Sequence, residues 1–228
     1  MTMSQATGSL FETKSDFAYR LVRDRILSGQ FEPGAVMQQR DLAAELGIST
    51  TPLREALRRL KSEGLVELDS HRDARVTPLR AEEARDLLEL RRALEPVAVG
   101  LAADRRTSAD IEAMRAALAA LEPLPADPSV EQLVRHREFH GALYRASHNQ
   151  AIIEALDQLW DKQDRYRRLA LQTDPDARVL VAKAQEHRDL LDHVVAGDAG
   201  AAADLMARHI ESSHGAHALR RLGGAQAR

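Results

Sequence analysis

Residues 39–68, QRDLAAELGISTTPLREALRRLKSEGLVEL, impose a short helix, a tight turn and a second, cationic helix on the chain. Leu42, Ala43 and Leu46 share one face of the first helix, and Gly47 stops it, because glycine takes the left-handed C-terminal position without a side-chain clash. Thr51-Pro52 restarts the chain, with threonine as a cap for exposed amides and proline at the first helical position. Leu53, Leu57 and Leu60 repeat at i, i+4 and i+7 and mark a buried stripe, while Arg54, Arg58 and Lys61 repeat on another face. Two short helices joined by a turn, the second basic on its exposed side, form a helix-turn-helix whose second helix fits a DNA major groove. Residues 65–68 and 74–76 flank a polar tip at 69–73 and read as a two-stranded wing. A basic helix face alone is more often solvated surface; here the preceding helix, the turn and the wing stand in register with it.

A chain of 228 residues, 44% hydrophobic, can bury two modest cores. Aromatics at 4% against abundant Ala and Leu favour helix over sheet. No apolar run approaches a membrane span, and the N-terminus lacks a signal peptide's apolar segment. With no cysteine, disulfides and thiolate metal sites are excluded, and a cytoplasmic setting is expected. Residues 1–80 hold 12 Lys and Arg against 11 Asp and Glu, and the rest 20 against 24, which gives the net −3. So neutral a head cannot hold DNA through its overall field; local cationic clusters, doubled by a second copy, must do so.

Residues 15–28 read as an amphipathic helix with Phe17, Leu21, Ile26 and Leu27 turned inward, closed by Gly29 and Pro33-Gly34. This completes a winged head over residues 10–77. Thr77-Pro78 is the seam, since proline disfavours helix in the residue before it. A second domain over residues 79–222 follows, with helices expected at 81–103, 108–121, 130–147, 150–171, 176–196 and 199–221. The fold class is mainly α: an N-terminal winged helix-turn-helix and a C-terminal all-α antiparallel bundle.

Eight of the nine histidines lie between positions 136 and 217, and four fall on inward stripes. His136 and His140, at i and i+4, project from one face with Phe139 and Leu143; His187 lies with Leu190, Leu191 and Val194; His209 lies with Leu205, Met206 and Ile210. Each alone is more often a hydrogen-bonded core residue. Together they offer imidazoles from three helices to one interior, which suits a divalent transition metal, Zn foremost and Ni or Cu otherwise, with room for an exogenous ligand. His71 points to DNA, and His148, His193, His214 and His217 read as surface or cap residues.

A zinc hydrolase places a glutamate directly after the first histidine. Here Glu138 comes two residues after His136, about 200° around the helix, and so points away. No catalytic residue is expected. Arg91 lies in line with Leu87, Leu94 and Ala98, where an unpaired charge is costly. Its partner is either a carboxylate ligand held bidentately or a carboxylate of the bundle, with Glu95 at hand.

Two stretches of the chain resemble the GntR family of transcription regulators, in its FadR-like subgroup with an FCD effector domain. RDLAAELGIS-TTPLREALRRLKSEGLVE is similar to that family's head, and RRALE, FHGALYRASHN and EHRDLLDHVVAGDAGAAADLMARHI to its effector half. Six effector helices look like the shorter, VanR-type arrangement. The resemblance implies a homodimer that binds an inverted-repeat operator in double-stranded DNA and responds to a small carboxylate, more often as a repressor. It marks Arg40, Thr50, Thr51, Arg54 and Arg58 as DNA-contacting positions, with His71 and Arg72 at the wing, and Arg91 as the effector-binding arginine. Three positions depart from the pattern. Thr50 stands where arginine is common, and Asp73 where glycine is frequent. His136 takes the place of an aspartate among the metal ligands, so four neutral imidazoles would leave a divalent charge uncompensated.

Two rivals from other classes follow from the same residues. A metal-dependent enzyme with a DNA-binding head needs a general base beside the metal, and the sequence offers none. A constitutive architectural DNA binder would use the histidines as packing and retain no stoichiometric metal.

Overall fold

A computed structural model describes residues 13–69, 73–121, 123–173 and 177–226 and divides the chain between Pro78 and Leu79 into two compact units. The first unit runs α1 (Lys14–Leu27), β1 (Val36–Gln38), α2 (Gln39–Glu45), α3 (Thr50–Ser62), β2 (Val66–Leu68) and β3 (Asp73–Val76). The Thr13 side chain caps α1 by accepting from the Asp16 amide at 3.1 Å. Gly47, at φ 64°, stops α2 as its lack of a side chain allows. Helix α3 begins two residues earlier than Thr51-Pro52 suggests: Ser49 is the residue before the helix and makes no side-chain capping bond. Thr51 and Pro52 lie in the first turn, where a missing amide proton costs no helical hydrogen bond.

Leu53, Ala56, Leu57 and Leu60 are fully buried and meet Ala18, Val22 and Ile26 of α1 and Leu42 of α2. Full burial of one such aliphatic side chain stabilises by about 1.5–3 kcal/mol, so this stripe carries much of the head. Phe17 and Leu21 are only partly buried; Ala18 and Val22 take the inward positions of α1. The wing has a third strand. β1 pairs antiparallel with β3, Met37 opposite Ala74, giving the order β1-β3-β2. Three residues in the pattern exposed, buried, exposed are too short for alternation to announce a strand.

The second unit runs α4 (Ala81–Arg105), α5 (Ser108–Ala120), α6 (Val130–Arg145), α7 (Gln150–Asp157), α8 (Trp160–Thr173), α9 (Ala177–Ala196), α10 (Ala199–Glu211) and α11 (His214–Gln226). Eight helices among the described residues replace the six expected, because two of the six are interrupted. Between α7 and α8 the chain turns at 158–159 without glycine or proline, and Leu156 and Trp160 on either side are both buried in the main core. At residues 212–213 two serines compete for the backbone: Ser212 Oγ donates to the Arg208 carbonyl at 2.9 Å, and Ser213 Oγ accepts from the Ala216 amide at 3.4 Å. Pro96 sits inside α4. Val99 and Ala102 of α4, Phe139 and Leu143 of α6, Leu190 and Val194 of α9, and Met206 and Ile210 of α10 form the central core.

Candidate functional site

On the head, Arg40, Thr51, Arg54 and Arg58 are exposed and Thr50 is half-buried. The buried leucine stripe fixes which side of α3 faces out, and the arginines lie on that side. Arg54 Nε donates to Oε1 of buried Gln39 at 3.1 Å, so the base of the guanidinium is held against α2 while its outer nitrogens remain available. Arg59 is turned elsewhere. It pairs with Asp16 at 2.7 Å and lies 4.0 Å over the Tyr19 ring, which ties α3 to α1. His71 and Arg72 lie outside the described residues. Arg75, on β3, donates to the Gly34 carbonyl at 2.8 Å and is exposed.

In the second unit, all four inward histidines come together. A capping box between Ser129 and Gln132 starts α6 and sets the turn that carries His136 and His140, whose ring centroids are 4.7 Å apart. From α9, His187 approaches His136 to 5.5 Å and His140 to 5.1 Å; from α10, His209 lies 4.9 Å from His187 and 5.3 Å from His140. His136 Nδ1, His140 Nε2 and His187 Nε2 are buried without a hydrogen-bond partner. Ligand atoms of these three residues lie within 4.8 Å of one another, a group able to hold a metal ion. An unpaired buried imidazole nitrogen is costly, and a borderline cation is the partner that suits several at once, so the donor set fits a divalent transition metal.

Burial, reinforced by neighbouring cations and imidazoles, pushes the His136, His140 and His209 rings well below the ordinary histidine range. At His187, burial lowers the value to about 3, and Glu186 opposes the fall without reversing it. All four rings are therefore neutral at neutral pH, the form in which an imidazole can ligate. His209 has a partner the others lack: its Nδ1 lies 2.6 Å from Glu186 Oε2. Glu138 is exposed, on the side of α6 away from the cluster.

A cavity of about 250 Å³ opens beside the histidines. Its lining includes His136, His187 and His209, the cations Arg91, Arg167 and Lys183, and Leu87, Leu88, Leu118, Leu121 and Leu124. Arg91 does not wait there for an anion. Its Nε and Nη2 donate to Glu95 at 2.6 and 3.1 Å, and Glu95 is 1% exposed. Burial opposes the Arg91 charge, but Glu95 outweighs it and holds the guanidinium above its ordinary range. Of the two partners the sequence leaves open, the bundle carboxylate Glu95 is the one that Arg91 meets. Only Nη1, 3.4 Å from Ser213 Oγ, remains directed at the cavity rim.

Lys183, Arg167 and Gln163 were not singled out by periodicity, yet all line the cavity and are at least nine-tenths buried. Arg167 pairs with Asp164, which is fully buried and also accepts from Arg137 at 2.8 Å. The signal available in the sequence was the run of charges in α8, WDKQDRYRRLALQT, which alone reads as a solvated helix.

Comparison with known proteins agrees with this architecture. Residues 14–76 match the model of bacterial regulatory proteins of the gntR family, and residues 86–212 that of the FCD domain. The HTH-type transcriptional repressor GlaR of Escherichia coli (strain K12) is 29% identical over 84% of this chain and 90% of its own. An HTH-type transcriptional regulator, BphR of Paraburkholderia xenovorans (strain LB400), is 30% identical over 86% of this chain and 81% of its own. The solved structure of E. coli McbR/YncC superposes with a TM-score of 0.73 at 23% identity, covering 88% of this chain and 95% of that one, a likeness of fold. Both relatives are named as HTH-type transcriptional regulators, GlaR as a repressor.

Two outcomes are expected from this geometry. Glu95→Ala leaves a buried guanidinium uncompensated and should destabilise the second unit by about 3–5 kcal/mol, read from its denaturant midpoint. In chelator-treated protein, stability should fall as pH drops below the unfolded-state histidine value of about 6.5. The lowered native values mean that only the unfolded chain takes up protons there. A denaturation series from pH 8 to 5 checks the sign.

Proposed function

Since this chain belongs to the gntR family of bacterial regulatory proteins and carries an FCD domain behind its DNA-binding head, we propose that it represses transcription as a homodimer. The operator is an inverted repeat, and release follows the binding of a small carboxylate beside a metal in the second unit. The sign of regulation is supported by the repressor GlaR among the relatives. Dimerisation is supported by the weak field of the head, 12 basic against 11 acidic residues over 1–80, which two copies would compensate. Leu90 and Val97, 40% and 50% exposed at i and i+7 of α4, give an apolar stripe suited to a second copy. Work on operator DNA belongs in the cytoplasm.

On this reading Arg54 reads a base edge, Arg40, Thr50, Thr51 and Arg58 steady the head on the backbone, and His71 and Arg72 serve the wing. His136, His140, His187 and His209 would hold the metal, Zn foremost and Ni or Cu otherwise. When bound it supplies a doubly positive centre to which a carboxylate oxygen coordinates. The observation that carries the proposal is the set of unpartnered buried nitrogens on His136, His140 and His187, two of these residues lining a cavity that three cationic side chains and five leucines also line. That shape favours a carboxylate whose remainder is apolar, its head near Lys183 and Arg167, with Arg91 lending one nitrogen at the rim.

Such a ligand bridges α4, α9 and α10. Drawing these helices together and passing the shift through the Thr77-Pro78 seam would change the spacing of two heads, so that half-site geometry fails. Titration of operator binding with metal present tests this: one class of carboxylate should weaken the complex at least tenfold, and flat affinity across a broad panel sinks the mechanism. Arg54→Ala should cost about 1–3 kcal/mol of discrimination between operator and random duplex, measured at fixed salt. Equal losses on both sequences would remove Arg54 from base reading.

A further inference from the structure

Glu186 stands beside the histidine cluster without belonging to it. Its Oε2 accepts from His209 Nδ1 at 2.6 Å and from Lys183 Nζ at 2.6 Å. Lys183 also donates to Ser212 Oγ at 2.6 Å and to the His209 carbonyl at 3.2 Å, and its side chain lines the cavity. One carboxylate oxygen is therefore shared between the ammonium of a cavity-lining lysine and an imidazole that faces the other histidines. A ring that donates through Nδ1 keeps its lone pair on Nε2, and a carboxylate behind it fixes the ring and raises its basicity as a ligand. Among the described residues no carboxylate meets the rings of His136, His140 and His187; His140 Nδ1 instead lies 3.4 Å from the Tyr144 hydroxyl.

We propose that Glu186 is the positioning residue of the metal site, supplying through His209 the negative charge that four imidazoles lack, and that Lys183 governs how much of it His209 receives. This rests on the reading of the histidines as a metal site. Lys183 draws on the same oxygen as His209, so it weakens the hold of Glu186 on the imidazole. An anion that engages Lys183 from the cavity takes up the ammonium and leaves Glu186 to His209, which tightens the site for its cation. By linkage the cation raises the affinity of the anion by the same factor. The cavity and the metal site are thereby coupled through three side chains without movement of a helix.

The test uses the full chain without a polyhistidine tag, stripped with chelator and titrated with Co(II) against a chromophoric competitor. The visible Co(II) spectrum reports the ligand environment. Glu186→Gln keeps a hydrogen-bond acceptor for His209 but removes the charge, and should weaken Co(II) binding about 10–100-fold. Lys183→Met should move the affinity the other way, and the double substitution should match Glu186→Gln if the shared oxygen of Glu186, rather than the bonds of Lys183 to Ser212 and the His209 carbonyl, carries the effect. A purely structural role would weaken binding in both single variants alike. Acetate, added as the probe anion, should raise Co(II) affinity more in the wild-type chain than in Lys183→Met.

Co(II) affinity unchanged within twofold in Glu186→Gln, or lowered in Lys183→Met, overturns the positioning role while the metal reading stands. An equal gain from acetate in both chains overturns the coupling. A wild-type chain that binds no Co(II) overturns the metal reading and this inference together. Should Glu186→Gln fail to fold, as circular dichroism would report, the sign of the Lys183→Met effect decides the matter.

Discussion

The second unit is organised by the cost of burying polar groups away from water. Into one bundle it draws four imidazoles, the Arg91–Glu95 pair, the fully buried Asp164 and three arginines of α8, each of which must find a partner or forfeit stability. Most do so within the chain. Glu95 answers Arg91, Asp164 answers Arg167 and Arg137, and Glu186 answers Lys183 and His209. Among the buried polar atoms left without a hydrogen-bond partner, which include Trp160 Nε1 and Gln163 Oε1, the ring nitrogens of His136, His140 and His187 lie together. Desolvation with internal pairing of the cations thus leaves a neutral, concentrated donor set, the condition under which a cation is drawn to one place.

Those internal pairs also shape what a ligand would meet. With Arg91 engaged by Glu95, its charge belongs mainly to the framework that fixes α4, and it lends the cavity one nitrogen. Lys183 is shared between Glu186 and Ser212 but stands on the cavity wall. Leucines of α4, α5 and the following segment line the same cavity, so a small polar anion would leave apolar wall uncovered, whereas a carboxylate with an apolar body would meet both kinds of lining.

The head obeys a simpler constraint. Its buried leucines decide which face of α3 is outward, and every arginine role follows from that face. Arg54 is braced by Gln39, and Arg59 is spent on Asp16 and Tyr19. Neighbours in sequence therefore do different work: one holds the helix to α1, the others remain exposed for a partner.

Local spacing by itself determined the helix-turn-helix, because stop, restart and stripe all act within a few residues. It also determined the pairing of His136 with His140, which follows from the helical repeat. The inward turn of His187 and His209 was legible for the same reason. Interactions between distant residues lay beyond it. Val36–Gln38 became a strand only because β3 offered it an edge, and α7 and α8 parted where no glycine or proline marks a break. The charges of α8 looked solvated and proved buried, because Asp164 is met by Arg137 from another helix. Whether Arg91 awaits a ligand or is satisfied by Glu95, and whether Glu186 stands behind His209, turned on packing between helices. A periodic pattern assigns a side chain to a face, and only the assembled bundle decides which partner it meets there.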